Sequence, residues 1–311
     1  MRRIGIFILA LLAFGSCRRG ALRPSNVWEY FGDFPQLPMA SSTAFSMGGR
    51  GYVCGGWSDG YFSDLWEYDP SADVWTQKAQ FPGTAREKAA NFVIGDRAFV
   101  GTGGQLAGGE RLLFCDFWMY AASTNSWSRV ADLPGGARHS AVGLSAAGYG
   151  FVGFGTDSTG HRRDWWRYDP ATSQWQAVAE FPAMERSSSF AFSLGDECYV
   201  GGGQNLDYQL SVDFWRYSPA SDQWTRLPDF PGQSRERAIS FGIGLNGYVV
   251  SGLGQGLVAG DTWTYDVKRE RWVQMADFAG AGRTTGMAFV LDGIAYVGLG
   301  YQFRDLWLYY P

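Results

Sequence analysis

Apolar and polar residues alternate in short runs along almost the whole chain, and turns rich in Gly, Pro, Asn and Asp separate the runs. Alternation with a period of two predicts strands with one face turned inward. No long stretch shows the period of an amphipathic helix. One segment, "DLWEYDPSADVW" from Asp64 to Trp75, returns again and again with small changes. Its Asp, Trp and Tyr recur as Asp64-Trp66-Tyr68, Asp116-Trp118-Tyr120, Asp164-Trp166-Tyr168, Asp213-Trp215-Tyr217, Asp261-Trp263-Tyr265 and Asp305-Trp307-Tyr309. Residues at i, i+2 and i+4 share one face of a strand. A second Trp follows nine residues on in five copies: Trp75, Trp127, Trp175, Trp224 and Trp272.

From Trp66 to Trp307 is 241 residues in five steps, a period of about 48. Each unit reads as a four-stranded meander. The first strand follows an Arg, as in "REKAANFVI"; the second is of the type "AFVGTGG"; the third is "DFWMY"; the fourth carries the second Trp. Such a period with four strands per unit marks a propeller blade rather than a solenoid. The predicted fold is therefore all-β, a six-bladed β-propeller with four antiparallel strands per blade. The repeated Trp and Tyr are expected to fill the wedge between blades. The last unit stops at Tyr309-Tyr310-Pro311 without its second Trp, whereas Trp28 precedes Phe34-Pro35 as Trp75 precedes Phe81-Pro82. The strand around Trp28 should complete the sixth blade, closing the ring and removing an exposed edge.

Composition supports many short strands and tight turns: 43 of 311 residues are Gly and 17% are aromatic. The net charge of −4 is mild, and nucleic-acid domains usually carry a basic stripe, so a nucleic-acid partner is not expected. The first residues, "MRRIGIFILALLAFGSC", have a basic start and an apolar run too short to span a bilayer. They read as a signal peptide over residues 1–16. Cys17 after Phe14-Gly15-Ser16 resembles a bacterial lipobox, which implies acylation of Cys17; a plain signal peptide with an incidental Cys is the alternative. Residues 17–26 would then be a lipidated tether and 27–311 the propeller. The expected location is the periplasm or the surface of a bacterial envelope, with the membrane engaged only through the Cys17 anchor and the protein a monomer. The remaining Cys54, Cys115 and Cys198 are odd in number, which argues against a disulfide framework.

The repeat resembles the kelch family, in which a Gly-Gly ends the second strand and spaced Tyr and Trp follow. Gly55-Gly56, Gly103-Gly104 and Gly202-Gly203 carry that likeness; "FVGFG", "VVSGLG" and "YVGLG" keep separated glycines. The resemblance spans Trp28 to Pro311. It implies a radial ring of sheets. Some kelch-type propellers are galactose oxidases, whose copper needs several His and Tyr ligands, but His139 and His161 are the only histidines here. No cofactor and no metal are expected.

Meander connectivity sorts the loops. The loops between second and third strands share an upper face with the "FPGxxR" loops that join blades, while short Gly-Asp and Asp-Pro turns lie below. The upper loops vary in length and sequence, and variable loops on a rigid scaffold are the expected binding surface. Arg86, Arg138, Arg186, Arg235 and Arg283 stand at equivalent positions, with Met39 in the sixth. They read either as an electropositive mouth for a carboxylate or as a consensus residue bonding loop carbonyls and a nearby Asp. Further ligand-binding candidates are Trp57, Tyr208 and His161, which depart from the repeat in upper loops. The leading expectation is a non-catalytic binding or scaffolding propeller for a glycan, peptide or partner protein. Six-bladed kelch proteins also include sialic-acid mutarotases and epimerases. Such chemistry needs a carboxylate or His base and an Arg to hold the substrate acid, and Glu87, His139, Glu185 and Glu236 beside the arginine ring are the candidate catalytic groups for it.

Overall fold

The computed structural model describes residues 25–311. The expected signal segment and Cys17 lie outside the described residues. Six four-stranded antiparallel sheets stand around one axis. Blade 1 runs through Thr43–Met47, Arg50–Cys54, Leu65–Asp69 and Val74–Gln77. Blades 2 to 5 repeat this order from first strands Ala90–Ile94, Val142–Ala146, Phe190–Leu194 and Ile239–Ile243. Blade 6 is made of Met287–Leu291, Ile294–Gly298 and Asp305–Tyr310, and its outer strand is Val27–Asp33 from the other end of the chain. Among the described residues no helix is long and apolar enough to cross a membrane.

The first strands line the axis, each touching the first strands of the blades on either side. Serines knit them across the gaps: Ser46 Oγ donates to the Val290 carbonyl at 2.6 Å, Ser145 Oγ to Val93 at 2.6 Å and Ser240 Oγ to Ala191 at 2.8 Å. Farther out, alternation assigns each third strand to two interfaces. Tyr120 packs back against Tyr52 of blade 1, while Phe117 packs forward against Trp175 of blade 3. The tyrosines are buried to within 3% exposure, whereas most of the repeated tryptophans are half-buried at the blade margins. Glycine on the second strand admits the neighbour's ring: a Cβ on Gly150 would lie 2.2 Å from the Phe92 ring.

Closure follows a rule repeated in every blade. The residue two before the outer Trp has positive φ: Asp73, Asn125, Ser173, Asp222 and Glu270. Tyr68, Tyr120 and Tyr217 donate their hydroxyls to Asp73, Asn125 and Asp222 at 2.8–2.9 Å. In blade 6 the chain is interrupted, yet Asn26 has φ 59° and accepts from Tyr309 at 3.1 Å. Asn26 thus performs the turn's task without the covalent turn. Beyond it, Trp28 pairs with Tyr309 in the ladder, packs its ring against it with centroids 4.6 Å apart and planes tilted by 38°, and donates its indole N–H to the Ala276 carbonyl at 3.1 Å.

Candidate functional site

The expected arginine ring is present, but inside the blades. Arg86, Arg138, Arg186, Arg235 and Arg283 are 0–3% exposed. Each points to the Asp that opens its blade's third strand. Nη2 meets the second carboxylate oxygen of Asp116, Asp164, Asp213, Asp261 and Asp305 at 2.8–3.0 Å. Nη1 meets the other oxygen and also a backbone carbonyl sixteen residues on, at 2.9–3.3 Å. Nε closes onto the carbonyl two residues back. The third-strand Trp then donates to the same Asp, as Trp263 does to Asp261 at 2.7 Å. Four of these guanidinium groups also lie over the Phe five residues back, Phe81, Phe181, Phe230 or Phe278, at 4.7–4.9 Å. Burial alone would raise the carboxyls of Asp116, Asp213, Asp261 and Asp305, but the arginine bonds outweigh it and hold them below the usual range. Blade 1, with Met39, improvises: Gln36 donates to Asp64 at 2.7 Å and accepts from Trp66 at 3.1 Å. These guanidinium groups are committed within their own blades, so the mouth is not built from them.

A second ring lies two residues farther on. Ser41, Lys88, Ser140, Ser188, Arg237 and Thr285 all have φ between 54° and 56°. Each backbone N–H donates to the carbonyl of its counterpart in the adjacent blade, at 2.9–3.3 Å, and Ser41 closes the circuit by donating to Thr285. This collar rims a cavity of about 150 Å³, continuous with a lower one of about 240 Å³ through shared walls at Ser42, Ala141, Ser189, Ala238 and Gly286. Ser42 Oγ is buried there with no partner among the described residues. The residues below the collar are small, so the axis stays open.

Two collar positions carry charge, Lys88 in blade 2 and Arg237 in blade 5. In a six-membered ring those blades are opposite, so the cations face one another across the axis. Each follows a glutamate: Lys88 Nζ lies 3.5 Å from Glu87 and Arg237 Nε 3.4 Å from Glu236. Arg111, from a hairpin of Gly104–Ala107 and Glu110–Leu113 in the blade 2 loop, adds a contact to Glu87 at 3.4 Å. Burial, then the positive charges of Arg111 and Arg237, push Lys88 below the usual lysine range despite Glu87. Burial raises the Glu236 carboxyl, opposed by Arg237 and Lys88. His139 is lowered to about 3 by burial and then by Lys88, Arg111, His161 and Arg237. A neutral imidazole therefore sits among cations, its Nδ1 2.9 Å from Ser140 Oγ.

The structure thus brings Glu87, His139 and Glu236 to the mouth. His161 stands behind His139, bonded through Nδ1 to Thr156 at 2.8 Å, while the Thr156 backbone pairs with His139. Glu185 lies off the axis between blades 3 and 4, beside Met184 and Asn205, close enough for its charge to act on His161. Tyr208 is 80% exposed at the tip of the blade 4 loop. Trp57 lies between blades 6 and 1, stacked with Tyr301. Lys88 and Arg237 were not among the residues expected from the sequence. Their signal was available: the third residue of each "R-x-x" triplet is Ser or Thr in blades 3, 4 and 6, and only blades 2 and 5 place a cation there. Among the described residues no three His, Cys, Asp or Glu side chains converge to hold a metal.

Two segments, residues 38–82 and 185–231, match the family model of the Kelch motif. The chain is a six-bladed β-propeller that carries the Kelch motif in these two segments. A solved structure titled "Structure of YjhT" matches with a TM-score of 0.73 and 17% identity, over 88% of this chain and 94% of that one. At that identity the likeness establishes the fold alone. No curated protein sequence matches the chain. Within this ring the Gly-Gly signature separates into two roles. The first position has positive φ in every blade and is held by Gly55, Thr102, Phe154, Gly202, Ser251 or Leu299. The second is always Gly, because a Cβ would strike the backbone before the collar, as at Gly155, 2.7 Å from the His139 carbonyl.

Proposed function

We propose that the protein is a non-catalytic binding propeller whose upper face engages a partner protein or peptide bearing a carboxylate. The observation that carries this reading is the distribution of exposed apolar side chains. Of thirteen large hydrophobic residues exposed among the described residues, nine are on upper loops: Leu37, Leu106, Leu112, Met184, Leu206, Tyr208, Leu257, Val258 and Tyr301. They come from the upper loops of blades 2, 4, 5 and 6 and from the joints before blades 1 and 4. An apolar rim supplies contact area, and Lys88 and Arg237 supply two opposed cations for an anionic anchor. An exported, Cys17-anchored protein would present this face to envelope partners. Intact-mass measurement of the membrane fraction tests the anchor, and the absence of acylation at Cys17 removes it.

The binding test is titration with a short Asp/Glu-rich peptide. A Lys88→Ala/Arg237→Ala double variant should bind at least about tenfold more weakly, and wild-type affinity should fall with salt. Equal affinities would overturn the reading.

A sialic-acid mutarotase or epimerase is the second reading, favoured by one observation. Glu236 is a buried carboxyl with a raised pKa next to Arg237, whose charge also acts on the neutral His139 at the same mouth, so that a base and an anion anchor could share one substrate. Faster anomer exchange of N-acetylneuraminate in NMR, lost in Glu236→Gln, would replace the binding reading with this one.

A further inference from the structure

The seam between blades 6 and 1 departs from the other five. Met39 replaces the clamp arginine, Gln36 takes over its Asp, and the blade 6 loop is the short "YQFR". A separate cavity of about 340 Å³ opens at this seam, larger than either axial one. Trp57 and Tyr301 stack at its wall with ring centroids 5.9 Å apart and planes within 6° of parallel. Trp57 is held by its backbone, which exchanges two hydrogen bonds with Ala40 at 2.8–2.9 Å. Tyr301 is 55% exposed, so one ring is anchored and the other leaves a flat face open.

Polar groups surround this apolar wall. Ser58, Asp59 and Gln302 line the same cavity, with Leu37 and Pro38 completing it. The repeated Asp-x-Trp tryptophans donate their indole N–H to protein acceptors, as Trp118 does to Asp116, whereas Trp165 beside one of them is buried without a partner among the described residues. The indole N–H of Trp57 has no partner among the described residues. A flat apolar surface edged by a carboxylate, an amide, a hydroxyl and an unpaired N–H matches one ligand shape in particular. A pyranose presents C–H groups on its face and hydroxyls around its edge. The rings would take the face. Asp59 would accept from hydroxyls, and Gln302 would both accept and donate. An aliphatic side chain would leave those polar groups unpaired, and an anion would meet the charge of Asp59.

We propose that this seam is a saccharide-binding subsite for an uncharged pyranose, distinct from the axial mouth and independent of the reading given for it. Saturation-transfer NMR on the full chain tests it, with methyl glucoside, galactoside, mannoside and N-acetylglucosaminide as probes. At least one probe should receive saturation, strongest at the ring C–H protons of one face. Trp57→Ala and Tyr301→Ala should weaken binding at least about fivefold, as loss of an aromatic contact implies. Asp59→Ala and Gln302→Ala are exposed changes that spare the fold and should each weaken it as well. Lys88→Ala/Arg237→Ala should leave it unchanged. The proposal is overturned if no probe receives saturation, or if folded Tyr301→Ala and Asp59→Ala bind as wild type. It is also overturned if the mouth variant alone abolishes binding.

Discussion

Replacing Arg186 with Met tests whether the buried arginines hold the blades together or wait for a ligand. Arg186 and Asp213 have side-chain exposures of 4% and 15%, and the guanidinium bridges the Asp, the Gly202 carbonyl and the Met184 carbonyl. Met fits the slot, as Met39 does in blade 1, so little volume is lost. What remains is a half-buried carboxylate supported only by Ser211 and Trp215. Removing one partner of a buried pair costs about 3–5 kcal/mol. For a cooperative domain of this size that corresponds to a fall in Tm of roughly 5–8 °C. Blade 1 also suggests the repair. Ala183 stands where Gln36 stands, two residues after the Phe of its "FP" turn. Ala183→Gln should place an amide beside Asp213 and Trp215, and the double variant should recover more than half of the loss. Differential scanning calorimetry or urea unfolding of the three proteins measures this. A loss below about 1 kcal/mol in Arg186→Met would refute the clamp, since surface changes fall in that range. A double variant no better than the single one would refute the account of how blade 1 compensates.

Deleting residues 25–33 should expose the edge of blade 6 and replace a single cooperative melt with aggregation or a broadened, much lower transition; a wild-type thermogram would contradict the closure. Acid sensitivity should appear in two stages. With His139 lowered to about 3, the unfolded chain binds a proton below pH ~6.5 that the native mouth refuses. Stability should fall as pH falls through this window, by at most about 1.4 kcal/mol per unit, and His139→Gln should flatten that limb. Glu236 acts in the opposite sense, because its raised carboxyl takes up a proton in the native state first, so Glu236→Gln should steepen the same limb. The clamp aspartates, held low, keep their contribution above about pH 3.9 and lose it only below that, giving a second, steeper stage. Equal pH profiles for wild type and His139→Gln would exclude a neutral His139 as the cause.

Blade number, strand order and closure were legible in the chain because each is written in local patterns. The Asp-x-Trp-x-Tyr spacing sets one face of a strand by itself. The displaced Trp28 could be matched to Trp75, Trp175 and Trp224 by its distance from "FP". The αL turn at Asn26 completes that local logic, since the turn residue sits two before every outer Trp. The clamp was half legible. The arginines and aspartates were both visible as repeats, but which way a guanidinium turns depends on an Asp 22–30 residues away, reached only when the sheet has formed.

The charged mouth and the saccharide seam belong to the closed ring. Lys88 and Arg237 oppose one another only because six blades place the second and the fifth across an axis. Trp57 and Tyr301 touch because the last blade is set beside the first, although they stand 244 positions apart in sequence. Local alternation determines which residues point into a sheet. It carries no information on which loops meet above it, because that juxtaposition is created by ring closure, a geometric condition on the whole chain.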